Sequence, residues 1–88
     1  MAWTIKITDT ARKQLKKIDP EIQQQIQNFI INRIKKSPRS FGKPLKSNFA
    51  GLWRYRIRDY RVICNIQDKN FTVLIVRVGH RKKAYGDH

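Results

Sequence analysis

Six arginines in the second half of the chain stand at spacings that suggest a chemistry. Arg54, Arg56 and Arg58 alternate with Trp53, Tyr55 and Ile57; Arg61 follows closely, Arg77 interrupts an apolar run, and Arg81 stands in Gly79-His80-Arg81-Lys82-Lys83-Ala84-Tyr85. Side chains on a strand alternate between faces, so Arg54, Arg56 and Arg58 share one face and Trp53, Tyr55 and Ile57 the other. If Val62, Cys64 and Ile66 turn inward, Arg61 turns outward. Where registers align, Arg54, Arg56, Arg61 and Arg77 meet on one sheet face, with Arg81 just past the strand end. Guanidiniums gathered this way repel one another, and their planar forks match phosphate oxygens bidentately. A face that is merely solvated mixes both signs, whereas here only Asp59, at a turn, carries a carboxylate. The indicated ligand is a phosphodiester backbone. His80 is a candidate general acid or base, since histidine titrates near pH about 6.5. Tyr85 is a candidate platform for a nucleobase, a contact worth roughly 1–3 kcal/mol.

The charge balance points the same way. The chain has 88 residues with 20 Lys and Arg against 6 Asp and Glu, a net charge of +14. Residues 1–32 contribute +2 of this and residues 33–88 contribute +12. Such self-repulsion lowers stability, and its usual counterpart is a polyanion. No basic amphipathic helix with a bulky aromatic face suggests a membrane surface instead. One cysteine, Cys64, excludes an internal disulfide and fits a reducing compartment, and its apolar surroundings mark it as a small core residue. No signal-peptide pattern and no apolar stretch of membrane-spanning length is visible, so a cytoplasmic location is expected. No CxxC, HExxH or carboxylate cluster predicts a metal, no Gly-rich loop predicts a nucleotide cofactor, and no cofactor is expected.

The elements that must position these residues form one expected domain, residues 1–88. Trp3 to Ile7 alternates like a short strand. Thr8 or Asp9 can cap a first helix carrying Ala11, Leu15 and Ile18 on one side. Asp19-Pro20 restarts a second helix with an Ile22, Ile26, Phe29, Ile30, Ile34 stripe, ending near Lys36 because Pro38 disfavours helix at Ser37. Residues 37–51 read as a loop pinned by Leu45 and Phe49. Strands follow at Leu52 to Arg58, Tyr60 to Gln67 and Phe71 to Val78, with Asp68-Lys69-Asn70 as a hairpin turn and Gly79 ending the last. The expected fold is α+β, in the order β-α-α-β-β-β. Two helices cover one face of a small antiparallel sheet, leaving the other to the arginines.

The run Leu52-Trp53-Arg54-Tyr55-Arg56-Ile57-Arg58-Asp59-Tyr60-Arg61-Val62-Ile63 resembles the central signature of the RelE/ParE toxin superfamily. The run from Val76 to Tyr85 resembles its closing motif, and Lys43-Pro44-Leu45 with Gly51 is similar to its loop. The resemblance implies a toxin of a type II toxin–antitoxin system. For the RNA-cutting branch it implies a metal-independent endoribonuclease that cleaves mRNA in the ribosomal A site. It assigns Arg54 and Arg56 to a basic pair that activates the 2′-hydroxyl and holds phosphate. Arg61 and Arg81 would stabilise the transition state, Tyr85 would stack on the substrate base, and His80 matches a position that some members use in proton transfer. Arg58, Arg77, Lys82, Lys83, Lys43 and Lys46 would extend the RNA-binding surface. The best-known RNA-cutting members carry lysines where this chain has Arg54 and Arg56. Arginine stays protonated, so the identity of the general base is left open. The implied partner is an acidic, wrapping antitoxin. A gyrase-poisoning toxin and a non-catalytic RNA-binding module remain as alternatives.

Overall fold

The computed structural model describes residues 2–45 and 51–80; the expectations placed on Lys46, Phe49, Arg81, Lys82, Lys83 and Tyr85 lie outside the described residues. Strand β1 (Thr4–Ile7) leads into helix α1 (Asp9–Lys16), whose N-cap Thr8 accepts a hydrogen bond from the Ala11 N–H. Asp9 in the first turn and Lys13 and Lys16 in the last complement the helix dipole. Helix α2 (Pro20–Phe29) has Asp19 as N-cap and proline at its first position, as the sequence signals predict. It then widens into a π-helical turn, Ile30–Ile34, where the Lys35 N–H reaches the Ile30 carbonyl. That turn keeps Ile30 and Ile34 both buried. After a 3₁₀ turn at Pro38–Ser40 comes a two-residue strand, β2 (Lys43–Pro44), inside the segment expected to be loop. Strands β3 (Trp53–Ile57), β4 (Tyr60–Gln67) and β5 (Thr72–His80) complete the sheet.

The strand order is β1-β5-β4-β3-β2. All neighbouring pairs are antiparallel except β1 with β5, which is parallel, so the sheet is the small, mostly antiparallel one expected, with β1 joined beside the last strand. The helices cover one face. Ala11, Ile18, Ile26, Ile30 and Ile34 pack there on Tyr55, Ile57, Val62, Cys64, Val73, Ile75 and Val78. Cys64 is a core residue, and burial pushes its thiol pKa up, away from reactivity. No helix among the described residues is long and apolar enough to cross a membrane.

One irregularity decides where Arg77 points. Ile63 pairs with Arg77 but Cys64 pairs with Ile75, so Val76 is an extra residue in β5. Without this bulge, strict alternation from Val73 and Ile75 would drive Arg77 into the core. The bulge reverses the phase and lets Ile75 and Val78 both face inward, with Arg77 outward. The polar groups along this edge of β5, beyond the end of β1, are satisfied from α1 and its cap. Thr8 donates its N–H to the Ile75 carbonyl at 3.0 Å and its hydroxyl to the Val76 carbonyl at 2.9 Å. The Val78 N–H donates to Gln14 Oε1 at 2.8 Å. Thr8→Val removes the bond to the bulge and the helix cap together while keeping the side-chain shape. It should destabilise the fold by about 1–2 kcal/mol, read as a lower urea midpoint at unchanged m-value.

Candidate nucleic-acid interface

Residues directly opposite one another in neighbouring strands project to the same face. Across β2, β3, β4 and β5, Lys43, Arg54, Ile63 and Arg77 form one row. Two residues along, Arg56, Arg61 and Gly79 form the next. The face opposite the helices therefore carries Arg54, Arg56, Arg61, Arg77 and Lys43 together, as strand alternation predicts. Ile63 sits between Arg54 and Arg77, 3% exposed and outside the main core. It gives the cations an apolar floor on which their stems can lie. No residue of β3, β4 or β5 is acidic. Two ion pairs formed among the described residues lie elsewhere, Arg12 with Asp9 and Arg39 with Asp68.

Two residues expected at this site are placed differently. Strand β5 does not stop at Gly79 but continues to His80, which pairs with Tyr60. Alternation then puts His80 on the helix side of the sheet, where its ring meets Tyr60 edge-on at 5.7 Å. Arg58 is no longer on the strand. It occupies the tight β3–β4 turn with φ +57°, which removes it from the alternation of Arg54 and Arg56. Its Nη1 donates to Gln25 Oε1 on α2 at 3.3 Å, away from the arginine face.

The segment before β3 is held by two buried-side donors. The Tyr55 hydroxyl donates to the Pro38 carbonyl at 2.6 Å, and the Trp53 indole N–H donates to the Phe41 carbonyl at 2.7 Å. Burial pushes the Tyr55 phenol far above its ordinary pKa, so it acts as a strut and not as an acid at neutral pH. Gly42 has φ +72°, and a Cβ there would collide with the Arg54 carbonyl. Only glycine permits the approach that sets Lys43 opposite Arg54. Arg39 is committed to structure: it grips Asp68 at 2.6 and 2.9 Å, lies over the Trp53 ring, and holds the Asp68 carboxyl below its usual pKa. Phe41 and Gly42 went unrecognised within the Ser-, Pro- and Lys-rich loop; the Phe-Gly pair there was the available signal.

Chemically, this face offers fixed positive charge. Arginine remains protonated at neutral pH, so it can clamp phosphate and stabilise added negative charge but is a poor proton acceptor. Among the described residues no group of three or more His, Cys, Asp or Glu side chains could hold a metal.

A small α+β scaffold with a one-signed cationic sheet face is the class that fold and site define. A family model for the ParE toxin of type II toxin–antitoxin systems matches residues 5–85. Toxin RelG of Mycobacterium tuberculosis is 36% identical over 85 residues, which cover 97% of this chain and 98% of that protein. Toxin RelE of the same organism is 31% identical over 83 residues, 94% of this chain and 86% of that one. The chain is similar to the crystal structure of the toxin–antitoxin complex RelBE2 from M. tuberculosis, with TM-score 0.87, 36% identity and coverage of 92% and 93%. A double mutant of E. coli toxin RelE in the free state shares the fold at TM-score 0.78 and 20% identity, with coverage of 93% and 86%. The chain belongs to the RelE/ParE family of type II toxin–antitoxin toxins.

Arg56 and Arg61 face each other directly across β3 and β4, and like charges so opposed are destabilising. Arg56→Thr should therefore raise stability by roughly 0.2–1 kcal/mol at low ionic strength, with the gain shrinking in high salt. Thermal melts at two salt concentrations check this; a variant less stable than wild type at low salt would contradict it.

Proposed function

We propose that this chain is the toxin of a type II toxin–antitoxin pair, and that it acts in the cytoplasm as a ribosome-dependent, metal-independent endoribonuclease on mRNA. The observation that carries the reading is the arginine face, Arg54, Arg56, Arg61 and Arg77 on one side of the sheet, in a chain whose relatives are named as RelE-type toxins. Cleavage proceeds by attack of a ribose 2′-oxygen on the adjacent phosphorus, in line with the departing 5′-oxygen. The pentacoordinate phosphorus gains negative charge as it forms. Guanidiniums already in place stabilise that charge without reorganising, which is where most of the rate enhancement arises. Arg54 and Arg56 hold the strand and favour the 2′-oxyanion, while Arg61 and Arg81 stabilise the transition state. Tyr85 stacks on a substrate base. Arg77, Lys43, Lys46, Lys82 and Lys83 extend the track for the backbone.

Silencing by an acidic, wrapping antitoxin follows from the same charge. Similar structures include toxins solved with their antitoxins, RelBE2 of M. tuberculosis and RelBE of E. coli. An acidic segment that orders on binding would neutralise a chain of net charge +14 and so hold it silent.

With translating ribosomes, wild-type protein should produce new mRNA ends within A-site codons, and Arg61→Ala should reduce their rate by about 10²–10³-fold. Intact mRNA beside inhibited gyrase would replace the reading with a gyrase poison. For single-stranded RNA, four phosphate contacts predict a log–log salt slope of roughly −3; a flat dependence would contradict the arginine face as the binding surface.

A further inference from the structure

The arginine face does not end at the sheet. Strand β2 is only two residues long and pairs with Trp53 and Arg54 alone, so the edge of β3 beyond it is uncovered by β2. There a cleft of about 380 Å³ turns the corner between the two faces, lined by Phe29, Phe41, Gly42, Lys43, Arg54 and Arg56. One wall is cationic and belongs to the face described above. The other is aromatic and belongs to the helix layer. Phe29 and Phe41 meet edge-on at 5.9 Å, and the Arg33 guanidinium lies over both rings, at 5.7 and 5.4 Å from their centres. Across Phe29 a second cleft of about 320 Å³ is lined by Gln25, Asn28, Phe29, Asn32 and Arg33.

We propose that this corner is a base-binding subsite, taking the nucleotide next to the phosphate held on the arginine face. The proposal rests on RNA being the ligand of that face. Its argument is the order of chemistries from one cleft to the next: cations for phosphate, then two aromatic rings set edge-on with a guanidinium over them, then side-chain amides. Single-stranded nucleic acid is held by that combination, charge along the backbone and flat groups under the bases. Asn28, Asn32 and Gln25 supply donors and acceptors able to read a base edge. The spacing of Phe29 and Arg33, four residues apart along the helix, places the guanidinium over the ring, 5.7 Å from its centre. Gly42 lines the first cleft, and its lack of a side chain lets this segment pack directly against the Arg54 carbonyl. Arg58 is turned toward α2, where its Nη1 donates to Gln25, a residue of the second cleft's lining.

The test uses the full-length chain, a labelled octaribonucleotide of mixed sequence and an abasic ribose-phosphate of equal length. Wild type should bind the base-bearing strand roughly tenfold more tightly than the abasic one. Asn28→Ala and Arg33→Met both alter exposed residues, and methionine keeps an apolar stem over the rings. Both should collapse that ratio while leaving abasic binding within about twofold, and 4-thiouridine cross-links should map between residues 28 and 43 of wild type. An unchanged ratio in both variants, or cross-links confined to other segments, overturns the subsite and leaves the arginine face standing. Loss of antitoxin binding with an unchanged ratio assigns the corner to a protein partner and also overturns it. Failure of wild type to bind either strand at low salt removes the RNA reading itself.

Discussion

A one-residue slip of β4 against β3 would bury Arg61 and expose Val62, and with it every other side chain of the strand would change sides. That register is the constraint on which the rest depends. The helix-facing set of Tyr55, Ile57, Val62, Cys64, Val73, Ile75 and Val78 is buried as one layer, and each large apolar side chain in it contributes on the order of 1.5–3 kcal/mol. Opposed like charges such as Arg56 and Arg61 oppose folding by only about 0.2–1 kcal/mol per pair. The core therefore wins by a wide margin, and the arginines are carried onto one face as passengers of the apolar pattern. An arrangement that would not assemble on its own electrostatics is enforced from the other side of the sheet.

The neighbouring elements protect that enforcement. Thr8 and Gln14 occupy the polar groups of β5 where β1 has ended, stabilising the bulge that turns Arg77 outward. At the opposite edge, Tyr55 and Trp53 tie residues 38–41 down through their polar tips, and the Arg39–Asp68 pair clamps the same segment to the β4–β5 turn. Both devices hold the structure with groups that lie outside the rows of Arg54, Arg56, Arg61 and Arg77. The gathered charge that the proposed RNA cleavage calls for is thus a by-product of ordinary packing.

Much of this was legible in the chain. Alternation of Trp53, Tyr55 and Ile57 with arginine, and the apolar series Val62, Cys64 and Ile66, was enough to assign faces and the bounds of β4. The cap Asp19 was equally plain, and the first cap was narrowed to Thr8 or Asp9. What could not be read depended on events between strands. The apolar run Val73-Leu74-Ile75-Val76 has no internal mark for the bulged residue, so the outward turn of Arg77 was conditional on register. Gly79 looked like a strand end, but its pairing with Arg61 carries β5 one step further and sends His80 to the helix side. Arg58 continued the alternation on paper and left it in space because a two-residue turn needs a positive φ there. Strand β2 is too short to show a period, and the aromatic wall unites Phe29 and Phe41 from segments that sequence spacing does not connect.

The central claim is that a nucleotide backbone lies across the rows formed by Arg54, Arg56, Arg61 and Arg77. The most direct measurement is an NMR titration of the arginine Nε–H signals with a short single-stranded RNA. The account predicts that these four shift together and saturate at one RNA per chain, while Arg12 and Arg39, engaged with Asp9 and Asp68, stay in place. Shifts spread evenly over all arginines, or concentrated at Arg12 and Arg39, would contradict it.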